Sequence, residues 1–223
     1  MNKKLEDNLG KLAMLMVFGY MTIKQIMSIA TIIVHRAEVP LWELKAASTI
    51  FSTIFLVLIL YFTITRLPPR DSASGLEPRI TAVVGTFVMA LLIVLPPGTI
   101  GQELQLASTL LIIIGTVLSL YCIRQLGRSF SIMATARELV TEGPYKIIRH
   151  PLYGAEVVTI LGVCIGHWSP AAAVLGLVWL ALQIRRAQNE ERILRECFPE
   201  YGDYARRVPM LLPGFKMPQA GRA

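Results

Sequence analysis

Between Gly143 and Tyr153 the sequence GPYKIIRHPLY sets two tyrosines, a lone histidine and two cations directly ahead of an apolar run. Further along, Glu190-Glu191 is followed by Tyr201, Tyr204, Arg206 and Arg207. Together these side chains suit a polar ligand. Carboxylates accept from hydroxyls or offset a positive charge, rings hold polar atoms at their edges, and a guanidinium pairs with a carboxylate through two bonds. Glu156 lies about one turn into the apolar run, where an ionisable group is costly and by default marks function. Each residue alone has a plainer reading. His150 would serve as an interfacial cap, Glu190-Glu191 as a solvated helix face with arginine partners, and Tyr201 and Tyr204 as belt residues. Order and spacing make the set informative.

The elements that must position this set are membrane helices. Of the 223 residues 54% are hydrophobic and 17% charged, against roughly 25% charged in an ordinary soluble domain, and the mean hydropathy is +0.55. The apolar residues come in runs, and a bilayer core of about 30 Å takes about 20 of them in a helix. Spans are expected near 9–34, 47–65, 80–95 and 104–123. A tight hairpin follows over 152–168 and 171–184, its short arms leaving five or six crossings. The 28 residues from Arg124 to Pro151 are too polar to span, and the stretches 67–79 and 95–102, rich in Pro and Gly, read as loops. The expected fold is therefore an all-α polytopic bundle. Residues 1–123 supply about four N-terminal transmembrane helices, and 124–223 form a second half of loop, hairpin, C-terminal helix and tail. The run RRAQNEERILRECF (185–198) continues the last span as an amphipathic helix with Arg186–Glu190 and Glu191–Arg195 at i,i+4. The segment after Pro199 is too apolar to hang free and is expected to pack back.

Charge sets an orientation. With six spans and the N-terminus inside, nineteen of the 22 Lys and Arg fall on the inner side. Arg36 and Lys45 fall outside and Lys24 within a span, where it snorkels or faces another helix. Both termini are then cytoplasmic, and the +7 net charge is a basic rim against anionic lipid that requires no nucleic acid. Cys122, Cys164 and Cys197 lie far apart, without CxxC or metal-ligand spacing, and read as buried thiols. No metal site is expected, His35 and His167 read as structural, and no cleavable signal is apparent. Oligomeric state is not legible.

The motif set GPY (143–145), RHPLY (149–153), EERIL (190–194) and Tyr201, Tyr204, Arg207-Val208 resembles the isoprenylcysteine carboxyl methyltransferases and related phospholipid N-methyltransferases. LGRSFS (126–131) is similar to the segment preceding GPY there, and the resemblance runs from about Ile123 to Pro213, roughly 40% of the chain. It implies an integral membrane methyltransferase, and the compact length without a eukaryotic-style targeting segment points to a prokaryotic inner or plasma membrane. S-adenosylmethionine would be held on the cytosolic side, with S-adenosylhomocysteine as product. The acceptor implied is the carboxylate of a prenylated cysteine or a similar lipid-like molecule, reached through the bilayer among membrane lipids. Tyr145, His150, Pro151, Leu152, Tyr153, Glu190 and Glu191 are the cofactor residues so implied. Arg206, Arg207 and Tyr204 would meet the substrate and Arg207 and Glu191 would serve the reaction; Glu156, where members of the family often carry an apolar residue, is with Glu191 a candidate base for an amine acceptor. No GxGxxG follows a strand, which agrees with a site that is not a Rossmann fold. Glu156, three residues after the HPxY tyrosine, also resembles the NADPH-dependent membrane sterol and steroid reductases. The paired glutamates and the YxxYxxRV tail favour the methyltransferase. A non-catalytic scaffold or small transporter would distribute charge through the early spans, which carry almost none.

Overall fold

The computed structural model describes residues 3–212, so Lys216 and Arg222 of the inner-side count lie outside the described residues, as does the last part of the tail. Seven α-helices follow in chain order: α1 (Lys3–Val34), α2 (Trp42–Thr65), α3 (Leu76–Phe87), α4 (Gln102–Leu126), α5 (Pro151–His167), α6 (Pro170–Cys197) and α7 (Tyr201–Arg207). The fold is an all-α polytopic bundle with five helices long and apolar enough to cross a membrane; α5, at 17 residues, is the shorter apolar helix of the hairpin. The sole sheet among the described residues is one antiparallel pair, β1 (Asp71–Ser72) with β2 (Thr135–Ala136), an element the all-α expectation did not include. It ties the 67–75 loop to the segment between α4 and α5.

The core follows the interior faces. Phe18, Leu56, Ile59, Phe62, Ile123 and Leu152 cluster between α1, α2, α4 and α5. The opposite face of α1 leaves Leu12, Met16, Tyr20, Ile23, Ile26 and Met27 exposed, as lipid contact requires. Lys24 is exposed on that helix and outside the core.

The most extensive helix pairing is α4 on α5, and small residues permit it. A Cβ at Gly115 would stand 2.5 Å from the Thr159 nitrogen, and one at Gly162 would stand 2.8 Å from the Ser108 carbonyl oxygen. The Ser108 hydroxyl instead donates to the Gly162 carbonyl at 2.8 Å. Close backbone approach of this kind is the usual way membrane helices associate, since lipid offers no hydrophobic drive between them.

The third span differs from expectation at both ends. Helix α3 begins at Leu76, inside the stretch read as loop, because Glu77 suits a first turn and docks there: Arg185 donates to it at 2.9 Å and Asn189 donates to both its oxygens. The third span then ends as a 3-10 helix over Val88–Ile93. Helix α2 has no basic residue in its own last turn. Lys11 donates to the Ile64 carbonyl at 2.7 Å, Arg128 to that of Thr65 at 2.7 Å, and Arg137 to that of Leu67. Two cations from elsewhere satisfy the carbonyl end of α2 and a third holds the chain just beyond it, each contact at the helix terminus contributing about 0.3–1 kcal/mol.

The hairpin turns where expected. Trp168 adopts φ 41°, the Ser169 hydroxyl accepts from the Ala172 N–H at 3.1 Å, and Pro170 opens α6. His167 is structural, its ring bridging Ser169 and the Leu92 and Leu95 carbonyls. Of the three thiols, Cys122 alone is fully buried; Cys164 and Cys197 are half-buried, a departure from the expectation for all three.

Candidate functional site

The site forms where the first turn of α5, the C-terminal half of α6, α7 and the returning tail meet. Gly143, at φ +59°, turns the chain into a 3-10 turn over Gly143–Lys146, a conformation that disfavours a side chain. That turn buries Tyr145, whose carbonyl accepts from the Tyr204 hydroxyl at 2.6 Å. His150 is the residue before α5 and Pro151 its first, where the missing N–H costs nothing. The tail comes back alongside: the N–H groups of Arg149 and His150 donate to the Pro209 and Met210 carbonyls at 2.9 and 3.1 Å. The folded-back tail is thus held by main-chain bonds.

The two adjacent glutamates of α6 do different things. Glu191 is buried and saturated. Its Oε1 takes Arg149 Nε at 2.5 Å, the Tyr201 hydroxyl at 2.8 Å and His150 Nε2 at 3.2 Å, and its Oε2 takes Arg195 at 3.1 Å. Arg149 also donates to the Ala205 and Val208 carbonyls at 2.8 and 2.6 Å, which ends α7. Glu190 instead faces a cavity, accepts from the Tyr153 hydroxyl, and stands 3.7 Å from His150 Nδ1. The His150 and Tyr153 rings stack at 5.5 Å, with the Arg186 guanidinium 5.1 Å from the centre of the Tyr153 ring.

The tyrosines of this clasp are neutral donors. Burial pushes the Tyr145 phenol well above its ordinary value, and burial followed by the charge of Glu191 does the same for Tyr201. Tyr204 is pushed up to about 12, chiefly by burial, with Arg149 opposing the shift. No group of three or more His, Cys, Asp or Glu among the described residues is placed to hold a metal ion.

The cavity encloses about 370 Å³. At the clasp end it is lined by Tyr145, Arg149, His150, Glu190, Tyr201 and Tyr204, and its roof is the 129–140 segment, Arg137 included. It continues between the helices past Leu152, Tyr153, Glu156 and Arg186 to Phe18, Met21, Gln25, Ser52, Phe55 and Thr86. Glu156 accepts from Gln183, whose amide oxygen takes Arg186 at 2.6 Å, while a second arm of Arg186 reaches the Ile132 carbonyl at 3.2 Å.

Tyr145, His150, Leu152, Tyr153, Glu156, Glu190, Tyr201 and Tyr204, all singled out in the sequence, therefore line one cavity. Pro151 and Glu191 lie behind that wall as supports. Arg206 and Arg207 are exposed; the first pairs with Asp203 and the second donates to the Asp203 carbonyl, 3.3 Å away. Neither lines the cavity. The guanidiniums that do are Arg137, Arg149 and Arg186. Arg186 was hidden in the i,i+4 reading with Glu190. Its signal is the inward stripe Trp179, Gln183, Arg186, Glu190, Ile193 of helical period, which mixes apolar and polar residues on one face.

Residues 104–201 match the model of the phospholipid methyltransferase family. A protein-S-isoprenylcysteine O-methyltransferase of Arabidopsis thaliana is 34% identical over 110 residues, 46% of this chain and 56% of the relative. A nickel-cobalt-cadmium resistance protein of Alcaligenes xylosoxydans xylosoxydans is 40% identical over 77 residues, 34% of this chain and 36% of the relative. A methanethiol S-methyltransferase of Bradyrhizobium diazoefficiens is 39% identical over 75 residues, 31% and 26% of the two chains. The chain thus spans between about a quarter and just over half the length of these relatives. The matched segment, residues 104–201, carries most of α4, all of α5 and α6 and the start of the clasp, and it is similar both to the phospholipid methyltransferase model and to an isoprenylcysteine methyltransferase.

Proposed function

We propose that the protein transfers a methyl group from S-adenosylmethionine to a lipophilic acceptor, the carboxylate of a prenylated cysteine or a similar lipid-like molecule. One observation carries the reading. A single cavity has a dense polar clasp at one end and runs between apolar helices at the other, so a water-soluble donor and a membrane-soluble acceptor can share it. The residues present suit the donor. Glu190, with a second oxygen beyond its Tyr153 bond, accepts from hydroxyl or ammonium hydrogens, and the stacked His150 and Tyr153 rings give a flat face. The buried Arg186 Nε lacks a hydrogen-bond partner in a wall of the cavity. The S-adenosyl group, when bound, supplies a methyl already activated on a sulfonium sulfur.

The chain's own task is alignment and exclusion of water. Tyr145, His150, Tyr153 and Glu190 hold the donor, and Leu152 closes the wall beside them. Glu191 is a positioning residue: by taking Arg149, His150 and Tyr201 it fixes the α5 entrance against α6 and α7. The carboxylate-pairing role expected of Arg206 and Arg207 passes to Arg137 and Arg186, which stand in the cavity. A carboxylate acceptor arrives ionised and needs no base. An acceptor bearing a proton gives it up, and Glu156 is the carboxylate on the membrane side of the clasp to take it. The excess of Lys and Arg on one side of the chain's spans supports a clasp facing the cytoplasm.

Titration of the purified protein with S-adenosylhomocysteine and with NADPH tests the reading. Saturable binding of the former alone is expected, and preference for NADPH would overturn it in favour of a reductase. Transfer of a labelled methyl group to a membrane lipid extract then identifies the acceptor.

A further inference from the structure

The far end of the cavity is not hydrocarbon. The Lys11–Ile64 bond sets the register of α1 against α2, and the antiparallel run then brings Gln25 to about the level of Ile50, within two residues of Ser52. These are the cavity residues of α1 and α2 most distant from the clasp end. Twelve residues of helix separate Ser52 from Ile64, about 18 Å at 1.5 Å per residue, which is close to the middle of a bilayer. A glutamine there is costly unless its amide is used. The nearby helical threonines spend their hydroxyls on their own helices, Thr22 on the Phe18 carbonyl, Thr53 on that of Thr49, Thr86 on that of Ala82. Gln25 and Ser52 make no such bond among the described residues, and both line the cavity. They lie outside the 104–201 segment, so the floor is contributed by the part of the chain in which the family motifs are absent.

We infer that Gln25 and Ser52 form a polar floor that selects an acceptor carrying a hydrogen-bonding group at the end remote from the methylated atom. This rests on the methyltransferase reading and narrows its acceptor. His150 to Ile160 spans ten residues of α5, or about 15 Å of helix, and with C–C bonds of ~1.5 Å that is the reach of roughly a dozen chain atoms. The acceptor class is therefore a short amphiphile with an apolar middle and a hydroxyl, carbonyl or amide at its distal end. A plain alkyl or prenyl end would leave the Gln25 amide desolvated and unmatched.

The test uses two N-acetyl-S-alkylcysteine probes with ten-carbon chains, one ending in a methyl group and one in a hydroxyl. Each is titrated into the full-length protein in nanodiscs, with and without S-adenosylhomocysteine. The hydroxyl-ended probe is expected to bind about tenfold tighter, the fold-change that a buried unsatisfied amide implies. Gln25→Leu should reverse that ratio, and Gln25→Asn should restore part of it. Equal or tighter binding of the methyl-ended probe to the unaltered protein overturns the inference. So does a ratio that Gln25→Leu leaves unchanged, or binding of neither probe. Failure of the unaltered protein to bind S-adenosylhomocysteine counts separately, against the methyltransferase reading.

Discussion

At the clasp end of the cavity, one carboxylate, Glu191, accepts from four side chains supplied by the α5 entrance, α6 and α7, and main-chain bonds seal the tail against Arg149 and His150. At the floor end, α1 presents most of its surface to lipid, and Gln25 and Ser52 stand without hydrogen-bond partners among the described residues. A site that recognises one fixed cofactor gains from pre-organisation, and the clasp is built that way. On the proposed reading, an end that admits a lipid-like molecule from the bilayer works with few polar commitments.

The first way to break this contrast is Glu191→Ala. Removing one partner of a buried ionic cluster leaves the others desolvated and uncompensated, at a cost of about 3–5 kcal/mol. The expected result is a large fall in the thermal unfolding midpoint in detergent, together with loss of S-adenosylhomocysteine binding, because Arg149, His150 and Tyr201 are all released. A variant that melts normally would show that the clasp is held by the tail's main-chain bonds instead.

Glu190→Gln probes the neighbour and should separate binding from stability. Hydrogen bonds to a charged group contribute about 1.5–3 kcal/mol, so affinity for S-adenosylhomocysteine should fall roughly ten- to hundredfold by calorimetry. The melting midpoint should stay within a degree or two. If both glutamates behave alike, the division between a supporting and a ligand-facing carboxylate is wrong.

Gly115→Ala sharpens the contrast from the side of the shared scaffold. The added Cβ would stand 2.5 Å from the Thr159 nitrogen and 2.9 Å from the Ala155 carbonyl oxygen, both on the α5 backbone. Helix α5 must shift, at about 1–3 kcal/mol for overpacking. Because α5 carries Leu152, Tyr153 and Glu156 into the cavity, stability and cofactor affinity should fall together, each less than in Glu191→Ala. An unchanged melting midpoint would show that α4 and α5 have slack.

The spans, the hairpin and the amphipathic extension of α6 were legible because hydropathy and turn residues act locally. The GPY, RHPLY and EERIL motifs led to cavity residues such as Tyr145, His150, Tyr153 and Glu190 for a similar reason: the chain keeps them at fixed offsets from the start of α5 and along one face of α6. What sequence did not reveal depended on contacts between distant segments. That Arg137, Lys11 and Arg128 converge on the end of α2 follows from three-dimensional register alone. The start of α3 at Leu76 was hidden because the stretch 67–79 is rich in Pro and Ser, and Glu77 is held by side chains of α6. Arg206 and Arg207 were drawn into the site by motif position, yet they stand on the face of α7 opposite Tyr201, Tyr204 and Ala205, the residues of α7 that are buried.

That placement gives the smallest expected effect. The pairing of Arg206 with Asp203 is solvent-exposed on both sides, and exposed pairs of this kind contribute little. Arg206→Ala and Arg207→Ala should each leave the melting midpoint unchanged and alter S-adenosylhomocysteine affinity by less than twofold. The pair of variants also bears on the acceptor, because removing positive charge beside the bilayer weakens association with anionic lipid. Transfer to an acceptor presented in anionic vesicles should therefore drop modestly, and transfer in neutral detergent should not. A tenfold loss of affinity or of transfer in neutral detergent would place one of these arginines in the site, and with it an acceptor path along α7.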